Sequence, residues 1–106
     1  MLEIEEIAEV EGPEAQMGNT VWIHYVGTFP EGEQFDSSRD RNQPLSFRLG
    51  SGQVIQGFDM AVIGMKVGQR RKVTIPSNLG YGAAGAGGVI PPNATLVFDL
   101  ELMRIG

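Results

Sequence analysis

The side chains able to act as nucleophiles, bases or metal ligands are few in this sequence. It contains no cysteine and a single histidine, His24, so a metal site would depend almost entirely on carboxylates. Ser51 lies between two glycines but lacks a base, because His24 falls in the middle of a predicted strand and is expected to be structural. The aspartates show no pairing of the kind that acid–base catalysis needs: Asp36, Asp40, Asp59 and Asp99. Nucleophilic and carboxylate-pair catalysis therefore have little support in the sequence.

A glycine-rich loop occupies residues 78–92 and ends in Pro91-Pro92. A phosphate-binding loop would continue into Gly-Lys-Ser/Thr and a helix, and the two prolines prevent a helix from starting there. The loop is therefore either a flexible crossover between strands or an apolar flap over a pocket. Tyr81, Val89 and Ile90 favour the flap, because apolar side chains are costly to expose to water.

The remaining candidates for a site are aromatic and aliphatic. They are Tyr25, Phe35, Phe47, Val54, Ile55, Phe58, Tyr81, Ile90 and Phe98. Packing in a hydrophobic core is the simpler explanation for most of them taken singly. The sequence pattern alone leaves both a pocket and a core open.

One stretch, between residues 50 and 65, repeats apolar residues at helical spacing. The two rows are Ile55-Phe58-Val62-Met65 and Val54-Phe58-Ala61-Met65. This spacing predicts a short helix over residues 56–63 with a wide apolar face that lies against a larger element. Gly57 weakens the prediction, since glycine in a helix costs roughly 1 kcal/mol relative to alanine. Near a first turn, however, glycine lets another group approach the backbone closely.

The rest of the chain alternates apolar and polar residues with the period of two that is typical of strands. The alternating segments are residues 2–5, 20–29, 34–36, 45–49, 71–75 and 96–103. Leu2 and Ile4 predict a first strand with one buried face. The polar residues 37–43 predict a loop or bulge that interrupts a strand. Together these patterns indicate an α+β fold, in which an antiparallel sheet has one face on a core and the short helix covers that face.

The composition is that of an acidic globular protein. The 106 residues carry a formal net charge of -5, and we expect them to form one domain, residues 1–106. The negative charge disfavours nucleic acid as a partner, and we interpret Arg70, Arg71 and Lys72 as the solvated end of a strand. No apolar run approaches the ~20 residues that a membrane helix needs, and the acidic N-terminus is unlike a signal peptide. We expect a cytoplasmic protein with no membrane partner.

Several segments carry motifs that are more specific than this pattern. They are Val21-Trp22-Ile23-His24-Tyr25-Val26-Gly27, Phe35-Asp36-Ser37-Ser38-Arg39-Asp40-Arg41-Asn42 with Pro44, Val54-Ile55-Gln56-Gly57-Phe58, Gly64-Met65-Lys66-Val67-Gly68, Tyr81-Gly82, and Ile90-Pro91-Pro92-Asn93-Ala94-Thr95-Leu96-Val97-Phe98. In this order, and over essentially the whole chain without an insertion, they resemble the FKBP-type peptidyl-prolyl cis-trans isomerases. The resemblance implies a five-to-six-stranded antiparallel half-barrel wrapped around one short helix.

The resemblance also implies a function and a site. An apolar pocket between helix and sheet would bind Xaa-Pro segments of client proteins, or a macrolide such as rapamycin, and catalyse rotation about the Xaa-Pro bond without a cofactor. The implied substrate-binding residues are Tyr25, Phe35, Phe47, Val54, Ile55, Phe58 and Ile90. The implied catalytic residues are Asp36, Tyr81, Ile55 and Phe98. Among these, the Ile55 N–H and the Tyr81 hydroxyl would donate to ligand carbonyls, and Asp36 would be the polar group at the rim.

Three departures from the family's pattern affect the predicted pocket. Phe58 stands where the best-known members carry tryptophan, which predicts a slightly larger pocket. Leu45 replaces a common phenylalanine and thins one wall. Ala86 and Gly87 replace bulkier flap residues, which affects macrolide affinity more than catalysis. The only tryptophan, Trp22, lies on the strand face opposite Tyr25.

Two other functions use the same residues. A binding module would hold proline-containing segments with only incidental turnover, and the sequence does not separate it from an enzyme. A folding helper is a third possibility, although the loop from Tyr81 to Pro91 leaves no room for the inserted apolar domain that strong chaperones of the family carry. We expect a monomer in each case.

Overall fold

The computed structural model describes residues 2–8 and 10–106; Met1 and Glu9, which the predicted domain includes, lie outside the described residues. The elements in chain order are strand β1 (Glu3–Ala8), β2 (Thr20–Thr28), β3 (Gln34–Ser37), β4 (Leu45–Arg48), helix α1 (Gln56–Val62), β5 (Arg70–Ile75) and β6 (Leu96–Ile105). Two single-turn 3-10 helices, Ser77–Leu79 and Gly82–Ala84, lie between β5 and β6. Six antiparallel strands and one short helix confirm the predicted α+β fold.

The sheet has the strand order β1-β5-β6-β2-β3, and β4 also pairs with β2. Strand β3 pairs with residues 26–28 of β2, whereas β4 pairs with residues 20–23. Because β6 occupies the other edge of β2, β3 and β4 lie along the same edge as two halves of one interrupted strand. The polar residues 37–43 therefore mark an interruption, as predicted, and its position determines part of the site described below.

Helix α1 packs its apolar face on the inner face of the sheet. Phe58, Ala61 and Val62 of the helix, and Met65 after it, are all buried, and the helix ends one residue before the predicted end. Gly57 lies so close to β5 that a Cβ there would be 2.5 Å from Ile75 Cγ2. The glycine therefore serves the close approach that the sequence suggested.

The prediction that β1 buries one face was wrong for Ile4, whose side chain is 43% exposed. Ile4 pairs with Val73 of β5 and shares its face of the sheet. Val73 is fully buried, whereas β1 is the edge strand of the sheet. The same apolar alternation therefore leads to a buried side chain in β5 and an exposed one in β1, because burial depends on whether another element covers the strand.

The interpretation of Arg71 as a solvated side chain was also wrong, since only 13% of it is exposed. Its Nη1 donates hydrogen bonds to the carbonyls of Ala61 and Ile63, both at 2.9 Å, and its Nε pairs with Glu6. The last carbonyls of a helix lack intrahelical donors and carry partial negative charge. Arg71 therefore links β1, β5 and the C-terminal end of α1.

No helix in the described part of the chain is long and apolar enough to cross a membrane.

Candidate active site

A cavity of about 140 Å³ lies between α1 and the inner face of the sheet. Its lining comes from four strands, from α1 and the loop before it, and from the residue that precedes the second 3-10 helix. The lining residues are Tyr25, Phe35, Asp36, Leu45, Gln53, Val54, Ile55, Phe58, Tyr81 and Phe98. The structure thus brings together all the predicted site residues except Phe47 and Ile90.

Aromatic rings form the floor and walls of this cavity. Phe58, in the first turn of α1, meets Tyr25 and Phe98 edge to face, with ring centroids 5.7 and 5.2 Å apart. Tyr25 and Phe98 face inward because they occupy buried positions of β2 and β6. Phe35 meets Phe98 in the same way at 5.6 Å. Edge-to-face contacts stabilise aromatic clusters beyond the burial of area, so the apolar wall has a fixed shape.

Gly27 of β2 makes room for two of these rings. A Cβ at this position would lie 2.7 Å from Phe35 Cζ and 2.9 Å from Phe98 Cε1. Any side chain would therefore displace both rings from the cavity wall. Gly27 belongs to one of the sequence motifs, but no sequence pattern predicted this role.

Asp36 forms the centre of a hydrogen-bonded triangle at the rim of the cavity. The Tyr25 hydroxyl donates to Asp36 Oδ2 at 2.7 Å, and Arg41 Nη1 donates to Oδ1 at 2.6 Å. Arg41 Nη2 donates to the Tyr25 hydroxyl oxygen at 2.7 Å, and the Ser37 N–H donates to Oδ1 at 2.8 Å. The carboxylate, phenol and guanidinium therefore hold one another in place.

This network also determines the charges at the rim. Burial alone would raise the pKa of Asp36, but the hydrogen bonds from Tyr25 and Arg41 outweigh it and hold the pKa below its ordinary value. The pKa of Tyr25 is raised, mainly by burial and secondly by the hydrogen bond to Asp36. At neutral pH the rim therefore carries an ionised carboxylate paired with Arg41, beside a neutral phenol.

The backbone of Tyr25 is fixed by Ser38, whose side chain is fully buried. The Tyr25 N–H donates to Ser38 Oγ at 2.7 Å, and the Ser38 N–H donates to the Tyr25 carbonyl at 3.0 Å. His24 Nδ1 is hydrogen-bonded to the same Ser38 Oγ at 2.9 Å. The imidazole therefore supports this strand junction, which agrees with the structural role expected for His24.

Ile55 supplies a backbone donor beside the cavity, at the end of the loop between β4 and α1. The Gly50 N–H donates to Asp59 Oδ1 at 3.0 Å and holds this loop to the helix. The Ile55 carbonyl accepts from the N–H groups of Phe58 and Asp59, at 3.1 and 3.2 Å. No acceptor for the Ile55 N–H is found among the described residues. A helix start leaves such donors free, and here the free donor belongs to a residue that lines the cavity.

The glycine-rich loop forms a flap beside the cavity. Its tip is a tight hairpin, in which Ala86 and Ile90 exchange hydrogen bonds of 2.9 and 3.0 Å. An adjoining cavity of about 430 Å³ lies under the flap. Its lining residues are Phe35, Asp36, Tyr81, Ala86, Gly87, Val89 and Ile90. Three of these residues also line the first cavity, so the two cavities adjoin each other.

The structure places the two other predicted residues elsewhere. Phe47 is buried behind Phe58, with ring centroids 5.6 Å apart, and does not line the cavity. Ile90 lines the adjoining cavity under the flap. Reasoning from the sequence missed Arg41 and Gln53 as site residues. Arg41 gave one signal, a cation five residues after Asp36 in a polar segment, but only the fold shows that the two meet.

Comparisons with known proteins agree with this fold. The profile of a family described as FKBP-type peptidyl-prolyl cis-trans isomerase matches residues 12–103. An FK506-binding protein of Neisseria meningitidis serogroup C is 55% identical over 102 residues, which are 96% of this chain and 94% of that protein. The peptidyl-prolyl cis-trans isomerase FKBP1A of Xenopus laevis is 48% identical over 105 residues, or 98% and 97% of the two chains. The crystal structure of AtFKBP13 matches with a TM-score of 0.91 at 38% identity, and the match covers 99% of this chain and 93% of that one.

The half-barrel around a single helix, with an aromatic cavity between them, defines a small α+β domain of a known isomerase architecture. The chain belongs to the FKBP-type peptidyl-prolyl cis-trans isomerases. The resemblance read from the sequence motifs is thereby confirmed, and with it the class of enzyme.

Proposed function

We propose that residues 1–106 act as one isomerase domain whose active site is the cavity above Phe58, where it catalyses rotation about Xaa-Pro bonds of client proteins. The observation that carries this proposal is the aromatic cavity of about 140 Å³ beside the N–H of Ile55, for which the described residues supply no acceptor. A cavity of roughly 150 Å³ holds a benzene ring, so the space suits the five-membered ring of proline.

The reaction needs no bond to break. Amide resonance opposes rotation with a barrier of about 18–20 kcal/mol, and uncatalysed exchange at proline is therefore slow. At the twisted transition state the C–N bond loses double-bond character and the amide becomes less polar. Apolar walls of Tyr25, Phe35 and Phe98 favour that twisted state over the polar planar one, and only such differential binding accelerates a reaction. A thousandfold acceleration requires about 4 kcal/mol.

Polar groups around the cavity would hold the chain on either side of the rotating bond. The Ile55 N–H has no acceptor among the described residues, and the Tyr81 side chain, which is 41% exposed, carries a hydroxyl that can donate to a second carbonyl. Asp36 would act at the rim as a fixed charge, since Tyr25 and Arg41 prevent it from reorienting. Preorganised groups of this kind need no rearrangement during the reaction.

We further propose that macrolides such as rapamycin compete for this cavity. The support is the name of relatives such as the FK506-binding protein of Neisseria meningitidis. Leu45, which lines the cavity, and Ala86 and Gly87, which line the adjoining one, are the positions at which this chain departs from the family's bulkier residues. We expect them to affect the affinity for the macrolide more than the rate of turnover.

The test is the cis-to-trans rate of a short Xaa-Leu-Pro-Phe peptide, measured with and without protein and again with rapamycin. We expect acceleration that stoichiometric rapamycin abolishes. The variant Phe98→Leu, which trims a wall of the cavity, should reduce the acceleration. Its matched control, Met103→Leu on the same strand but exposed, should not.

Each other outcome has a definite meaning. Acceleration that resists rapamycin would keep the isomerase and contradict macrolide binding at this cavity. Tight binding of proline-containing proteins with negligible turnover would favour the binding module. A Phe98→Leu variant with full activity in a folded sample would place the active site elsewhere.

A further inference from the structure

A groove of about 440 Å³ adjoins the flap and the turn between β2 and β3. Phe29, Val89, Pro91 and Pro92 contribute to its apolar wall, and Glu31 and Glu33 contribute two carboxylates. The turn is fixed by a hydrogen bond of 2.8 Å from the Phe29 N–H to the Glu33 carbonyl. The groove therefore combines an apolar surface with negative charge on a constrained turn.

This groove neighbours the proposed active site through the cavity under the flap. Val89 and Ile90 line both the groove and the cavity under the flap, which itself shares Tyr81 with the cavity above Phe58. Phe29 lines the groove, Phe35 lines both cavities, and the centroids of their rings are 5.0 Å apart. An extended chain advances by about 3.3 Å per residue, so a bound client segment would reach the groove a few residues from its proline.

The negative charge of the groove has no counter-charge within the part of the chain that the structure describes. Glu31 and Glu33 are both exposed, and neither forms an ion pair with any residue of the described ranges. No described lysine or arginine lines the groove. At the rim of the first cavity, by contrast, Arg41 neutralises Asp36. A cationic ligand would therefore find its counter-charge in the groove and not at that rim.

We propose that this groove binds a lysine or arginine side chain of the client segment whose proline occupies the cavity above Phe58. This inference rests on the proposed function and adds a substrate preference to it. Lysine and arginine lay their aliphatic stems on apolar surface and keep the charged head at a polar edge, which matches Phe29 and Val89 beside Glu31 and Glu33. A second copy of this chain fits less well, because its net charge of -5 repels the same carboxylates.

The groove lies on one side of the cavity, so the preference for a lysine or arginine should exist on only one side of the proline in the peptide. In the test, peptides with a Leu-Pro core carry lysine, glutamate or alanine at one position, about two to four residues from the proline on either side. We expect kcat/KM for the best lysine peptide to exceed that of its glutamate counterpart about fivefold at low salt, on one flank only. In about 0.5 M NaCl the ratio should fall below about twofold.

Charge variants separate the groove from the overall field of an acidic protein. The double variant Glu31→Gln/Glu33→Gln should lower the lysine-to-glutamate ratio to about one. The matched control Glu3→Gln/Glu5→Gln removes the same charge from exposed positions of β1 and should keep the ratio. A ratio near one in the wild type, an equal ratio on both flanks, or an unchanged ratio in the groove variant would overturn the inference. If one of these results is found while the alanine peptide is still accelerated, the proposed isomerase function stands and only the inference fails. If no peptide is accelerated, both the proposed function and this inference are refuted.

Discussion

Gly57 is a position where helix propensity and packing predict opposite effects of one methyl group. It lies in the first turn of α1, where propensity favours alanine over glycine by at most about 1 kcal/mol. A Cβ there would lie 2.5 Å from Ile75 Cγ2 and 3.0 Å from Cγ1. Ile75 is fully buried, and close-packed protein interiors leave few voids into which a side chain can move. We therefore predict that Gly57→Ala destabilises the protein.

The expected size follows from the two opposing contributions. Forcing an extra methyl group into a packed core costs about 1–3 kcal/mol, which exceeds the gain in propensity. The free energy of unfolding should fall by about 1–2 kcal/mol, and the Tm by roughly 5–10 °C for a domain of this size. The helix and β5 would also separate slightly, which shifts Phe58 at the floor of the cavity.

A double-mutant cycle isolates the clash. Ile75→Ala removes the contacting side-chain atoms at its own cost of about 2–5 kcal/mol. In that background, Gly57→Ala should become stabilising by up to about 1 kcal/mol, because only the propensity remains. Urea unfolding of the four proteins measures both effects. Stabilisation by Gly57→Ala in the wild-type background, or an equal loss in both backgrounds, would refute the packing argument.

Three further predictions concern the cavity and the outer face of the sheet. In variants shown to be folded, Asp36→Ala and Phe98→Ala should each lower kcat/KM about tenfold or more, and Tyr81→Phe about threefold, because Tyr81 would lose one exposed hydrogen bond; equal losses would contradict this ranking. Because the pKa of Asp36 is lowered in the folded state, its stabilising contribution is complete above the ordinary value of 3.8 and is lost as the pH falls through the folded pKa. Asp36→Asn should therefore flatten the acid limb of a plot of unfolding free energy against pH, and an unchanged limb would exclude Asp36 as its cause. Trp22, stacked with the Arg104 guanidinium 4.6 Å from its ring centroid, should report unfolding by fluorescence but change little on macrolide binding, and a large quench would contradict that placement.

Most of the fold was predictable because burial imposes a period on the sequence. In β6, Leu96, Phe98, Leu100 and Leu102 are all buried as their alternation predicted. The same rule failed at Ile4, since its burial depends on whether another element covers an edge strand. At Arg71 the alternation held, since this residue shares a strand face with the buried Val73, but the interpretation of its charge as solvated was wrong. The carbonyls that bind its side chain come from Ala61 and Ile63, at the end of the helix. Periodicity describes one element at a time and contains no information about which elements meet.

The site residues also fall into two groups. The position of some is determined by a single strand or helix, whereas others reach the site only because the fold brings separate segments together. Tyr25, Phe58 and Phe98 were predictable as a group because each occupies an inward position of its own strand or helix, and the family resemblance assigned them to a pocket. Arg41 was not, although it completes the rim. The interruption between β3 and β4 carries the chain away from the sheet after Ser37, the residue that follows Asp36, and returns it, so that Arg41 contacts both Asp36 and Tyr25. A regular strand alternates its side chains between two faces and would carry residue 41 farther along the sheet from Asp36. The break in the strand pattern is therefore the feature that assembles the charged rim, and such breaks between paired segments are where site residues are to be sought in a β-rich sequence.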